Sequence, residues 1–187
     1  MEKSAKDIIK SWSDDAKEAA DLVLDKYGEP DEKTESLLIW YNNGPWAKTV
    51  VSSEPDEHLF PMPHKDSVEQ SIFYKVDLEK LKDLTWFDGS VTYKRTEGLL
   101  SARCHDEEAN FLALNLTYDV ITGKKSAEEA KQTYLQNMID YRAGKDVPYM
   151  KELQFKALSK DESRDKDTEL ISKEEMEEKA KKEKEAA

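Results

Sequence analysis

The chain has 187 residues, a formal net charge of −12, three histidines and one cysteine. Residues 151–187 hold 10 of its 29 basic and 12 of its 41 acidic residues, so residues 1–150 carry −10 of that charge. Such an excess of carboxylate, with no basic stripe, excludes nucleic acid and an anionic membrane surface as partners, and a lone Cys104 excludes an intramolecular disulfide and a thiolate zinc cage.

The first residues lack the apolar run of a secretory signal, and no segment approaches transmembrane length; the expected location is cytoplasmic. Residues 4–27 read as one amphipathic helix, with Ile8, Trp12, Ala16, Ala19, Val23 and Tyr27 at spacings of three and four. Gly28 and Pro30 end it. Ser36–Tyr41 is rich in β-formers, Asn42-Asn43-Gly44-Pro45 is a turn, and Trp46–Ser52 is the return strand, which predicts a hairpin. Residues 53–67 read as a loop because Pro55, Pro61 and Pro63 interrupt any ladder. Val68–Val76 is a third strand, and Asp77 caps a short helix reaching Trp86. Val91–Arg95 and Leu99–Cys104 form a second hairpin around Thr96-Glu97-Gly98.

Two helices follow. The first, 106–122, presents Ala109, Leu112, Ala113, Leu116 and Val120 on one face and stops at Gly123. The second opens on the capping box Ser126/Glu129 and closes at Gly144. The order predicts a single α+β domain over residues 1–158: about five mostly antiparallel strands (two hairpins plus one strand), an N-terminal helix and two C-terminal helices. Residues 147–158 are ambiguous, with Tyr149, Met150, Leu153, Phe155 and Leu158 the candidates to dock as a last element. From Ser159 the chain is almost wholly charged, which predicts a disordered tail over 159–187.

The segments Trp40-Tyr41-Asn42-Asn43-Gly44-Pro45-Trp46 and His58-Leu59-Phe60-Pro61-Met62-Pro63-His64 stand out, together with Asp88-Gly89-Ser90-Val91 and Asn110-Phe111-Leu112-Ala113-Leu114-Asn115-Leu116. Over roughly residues 21–142 the chain resembles a family of small uncharacterised bacterial proteins. That resemblance implies no activity. In its pattern an acidic residue stands where this chain has His105, which argues against His105 as a shared catalytic group.

Chemistry concentrates in His58–Glu69. His58 and His64 lie there with Asp56, Glu57, Asp66 and Glu69 nearby, and imidazole with carboxylate suits a divalent transition metal as cofactor. Pro63 stiffens the backbone before His64, as a preorganised ligand group requires. Adjacent Cys104 and His105 point to opposite faces of a strand and form no dyad there. Asn110 and Asn115 interrupt an apolar helix and are candidates to line a ligand pocket, with Arg103 supplying charge.

Three functions compete on this reading. The first is a non-enzymatic module that binds a protein or small molecule through its sheet and two loops, using Asn42, Asn43, Trp46, His64, Arg103 and Asn110. The second is a small metal-assisted hydrolase centred on His58 and His64. The third is a structural or accessory protein with no pocket.

Overall fold

The computed structural model describes residues 3–186. A six-stranded antiparallel sheet runs in the order β1-β2-β3-β4-β6-β5. Its strands are β1 (Glu32–Lys33), β2 (Leu37–Asn43), β3 (Trp46–His58), β4 (His64–Phe73), β5 (Val91–Lys94) and β6 (Leu99–Cys104). The helices are α1 (Ala5–Ile8), α2 (Asp14–Tyr27), α3 (Leu81–Phe87), α4 (Glu107–Ile121), α5 (Ala127–Arg142), α6 (Lys160–Ser163) and α7 (Lys173–Ala186). The α+β class and the placement of the helices agree with the sequence reading; the strand count rises to six through the two-residue β1.

Two predicted boundaries move. The first helix breaks where Trp12 turns extended and the Ser13 hydroxyl caps Ala16 N, so α2 starts afresh. The predicted loop 53–67 shrinks to residues 59–63, because β3 continues to His58 and β4 begins at His64. Pro55 is accommodated where the β3–β4 register shifts between Val51 and Asp56: residues 52–55 of β3 stand against Ser67 alone and are released from the ladder.

Register decides the faces. Leu38, Trp40, Thr49, Val51, Val68, Gln70, Ile72, Leu100, Ala102 and Cys104 share one side of the sheet by pairing and alternation. α2 covers its β3–β4 part and α4 its β4–β6–β5 part. Trp12, Val23 and Leu24 pack there on Leu38, Trp40, Val51 and Val68, and Phe111, Leu112, Leu114 and Leu116 fill the larger cluster with Ile72, Leu100 and Phe87. Trp86, near the end of α3, lies 68% exposed, with the Lys131 ammonium 4.9 Å from its ring centroid.

The two cores are joined by one carboxylate. Glu107, at the start of α4, accepts from Trp46 Nε1 and from the Tyr27 hydroxyl, and pairs with Lys26. The turn after β2 must pass close by, and Gly44 permits it: a Cβ there would lie 2.9 Å from the Tyr27 hydroxyl.

Residues 147–158 dock. Val147 and Met150 are buried, Phe155 stacks on Tyr118 with centroids 4.3 Å apart, and Leu158 N donates to Phe73 O. Asn115 fastens the segment, donating to Tyr149 O and Glu152 O and accepting from Gln154 N. Beyond it, residues 159–167 lie on the second hairpin rather than in solvent: Ser163 is buried, Asp165 N donates to Arg95 O, and Arg95 pairs with Asp165 and Asp167. α7 buries no residue.

Candidate metal centre

Four strands deliver side chains to one end of the sheet. His58 ends β3 and His64 and Asp66 open β4, facing one another across the short loop with Cα register His58↔His64. Ser90 immediately precedes β5, and Cys104 ends β6 opposite Val68. The loop from Leu59 to Pro63 folds inward at Phe60, whose ring lies 5.1 Å from Tyr134 of α5.

Asp66 is the hub, 1% exposed. Its Oδ2 accepts from Ser90 Oγ at 2.5 Å and lies 3.2 Å from His58 Nδ1. Its Oδ1 lies 3.0 Å from His64 Nε2, an ion pair with the protonated imidazole. One ligand atom from each of His58, His64 and Asp66 can be chosen so that all lie within 4.8 Å of one another. The imidazole rings are 5.0 Å apart.

The surrounding groups orient this cluster. Met62 O lies 2.8 Å from His64 Nδ1; a carbonyl only accepts, so Nδ1 carries the proton and Nε2 turns inward. Asp88 Oδ1 lies 3.7 Å from His58 Nε2 and accepts from Ser90 N. Cys104 Sγ lies 3.3 Å from His64 Nε2.

Charge follows from burial and neighbours. The Asp66 carboxylate, then Cys104, hold the His64 imidazolium up to about 11 against the lowering effect of burial. Burial pushes the Asp88 carboxyl upward. Burial also raises the Cys104 thiol, which leaves it protonated and a poor nucleophile, since the thiolate is the reactive form. Beside His64 and Cys104 opens a cleft of about 120 Å³, lined also by Met62, Tyr134, Met138 and Arg142.

The six residues expected to form a ligand site are dispersed. Asn42 is exposed at φ +51°. Asn43 is buried and donates to Thr49 Oγ1. Trp46 is buried on Glu107. Asn110 lies in the core, donating to Val68 O and Gln70 Oε1. Arg103 pairs with Glu69 across the strands and so faces away from the helices; it binds Asp56 and Glu54 O. His64 alone of the six reaches the cluster. Asp88, Ser90 and the Cys104–His64 contact escape sequence reasoning, because they depend on the non-local β4–β6–β5 pairing. The one signal is the Asp88-Gly89-Ser90-Val91 segment noted in the sequence.

No family model, curated protein or solved structure matches the chain. Among the described residues, no helix is long and apolar enough to cross a membrane.

Proposed function

We propose that the protein is a metal-binding module holding one divalent transition-metal ion on His58, His64 and Asp66. The observation that carries this reading is the convergence of three ligand atoms, two imidazole nitrogens and one oxygen of a buried carboxylate, within 4.8 Å of one another. Two nitrogens and one oxygen suit zinc or iron(II) better than the all-oxygen preference of magnesium or calcium. The Met62 carbonyl and the Ser90 hydroxyl play the part of outer partners that fix the ligand atoms in direction.

Metal-assisted hydrolysis is the second reading. Three protein ligands leave a coordination position open, as catalytic sites do, and the cleft ends at His64. Its roughly 120 Å³ falls below the roughly 300–1,000 Å³ of small-molecule sites, so binding is preferred over turnover of a sizeable substrate.

Calorimetric titration of EDTA-treated protein with Zn²⁺, and optical titration with Co²⁺, should each show one saturable site. Asp66→Asn and His64→Ala should each weaken binding at least about tenfold. Absence of saturable binding, or unchanged affinity in both variants, overturns the assignment.

A further inference from the structure

The sheet carries a second concavity on the face turned away from the helices, remote from the histidines. Its volume is about 540 Å³, inside the roughly 300–1,000 Å³ range of small-molecule sites. The floor is apolar and aromatic. Phe73 and Leu99 are cross-strand partners on β4 and β6, and Tyr41 flanks them from β2.

The rim is basic. Lys48 comes from β3, and Lys160 and Arg164 come from the segment that docks on the second hairpin. None of these three makes an ion pair among the described residues, whereas the neighbouring Arg95 is paired twice. Arg164 Nε is buried and has no hydrogen-bond partner. A chain with net charge −12 thus turns three unpaired cations toward one cleft, with Glu97 the lone carboxylate in its lining.

The placement of Arg164 is built into the fold. Gly98 sits at φ +68°, and a Cβ there would lie 2.3 Å from Ser163 Oγ and 2.8 Å from Arg164 N. The bare Gly98 backbone therefore serves as the seat on which residues 163–164 rest. Without that close approach, two of the three cations would leave the cleft.

We propose that this cleft binds a small phosphate monoester bearing an apolar or aromatic group. The doubly charged head is held by Lys48, Lys160 and Arg164, and the apolar part lies on Phe73 and Leu99. Arginine supports a forked pair of hydrogen bonds to phosphate oxygens, and lysines add point charge. Attraction is strengthened where low-dielectric walls focus the field.

The test is an amide NMR titration of the metal-free full-length protein with phenyl phosphate, benzoate and phenol. EDTA treatment keeps phosphate binding at the histidine cluster from contributing. Phenyl phosphate should shift the amides of Lys48, Phe73, Leu99 and Arg164 saturably. Benzoate should bind more weakly, and phenol at least tenfold more weakly still. Lys48→Gln should weaken phenyl phosphate at least fivefold, and Glu97→Gln should tighten it. Both residues sit on the hairpins, so these variants test charge without relying on the docked segment. The proposal is overturned if no cleft amide shifts saturably, if phenol binds as well as phenyl phosphate, or if neither variant changes the affinity.

Discussion

Trp46 Nε1 and Glu107 Oε1 meet at 2.5 Å, which ties the turn of the first hairpin to the first residue of α4. Glu107 is 7% exposed and also accepts from the Tyr27 hydroxyl, so removing it orphans buried donors. Glu107→Ala should cost about 2–3 kcal/mol, the penalty of an unsatisfied buried donor with modest losses elsewhere. The Lys26 pair adds little, because that lysine side chain is more than half exposed. Urea unfolding measures this, and a change below about 0.5 kcal/mol would show that the carboxylate is dispensable.

Trp12 is 8% exposed, packs in the cluster under α2, and donates to Glu35 O. Trp12→Ala should destabilise by about 3–5 kcal/mol. An unchanged urea midpoint would place the indole outside the core.

Two truncations separate the docked part of the C-terminal segment from the solvated part. Ending the chain after Thr168 removes α7, which buries nothing, and should leave Tm within about 1 °C. Ending it after Leu158 also removes buried Ser163 and the Arg95 pairs and should lower Tm by about 3 °C or more, given roughly 2–4 °C per kcal/mol in a domain of this size. Differential scanning fluorimetry distinguishes the two. Equal midpoints would mean that docking of residues 159–167 contributes nothing.

These outcomes bear on what could be read from residues alone. Local chemistry was legible: the Ser126/Glu129 capping box forms as written, and the Asn42–Pro45 turn closes its hairpin. Pro55 misled because a proline ordinarily ends a ladder, while here a register shift absorbs it. The docking of residues 159–167 was invisible because it rests on backbone against Gly98 rather than on apolar side chains. At the histidine cluster, the residue types near His58 and His64 were readable. The choice of Asp66 among the nearby acids was not, since it depends on which strand face each carboxylate occupies. Asn110 was misread in the other direction: an amide inside an apolar helix here satisfies the β4 backbone and Gln70 instead of a ligand.

Glu108 gives a pH-dependent prediction. Burial, then the adjacent Asp106 and Glu107 charges, raise its carboxyl above the usual range. A raised carboxyl weakens the folded state once ionised, so the penalty is absent below the unfolded pKa near 4 and develops as pH rises through the folded value. Glu108→Gln should therefore be more stable than wild type at pH 7 and equal to it near pH 3.5. Thermal midpoints across that interval check the sign; a Gln variant that is less stable at pH 7 would refute it.

α4 differs from an ordinary surface helix, which keeps a polar stripe in water. Nearly its whole circumference is buried, including Glu107, Asn110, Asn115, Thr117 and Asp119. Such a helix has no face from which to fray, because the sheet, α3, α5 and the docked 147–158 segment would all have to part first. Its interior amides should accordingly trade hydrogen for deuterium only through global unfolding, and their exchange rates would read the stability of the whole domain. The amides of α7, which rests against nothing buried, should exchange many orders of magnitude faster in the same sample.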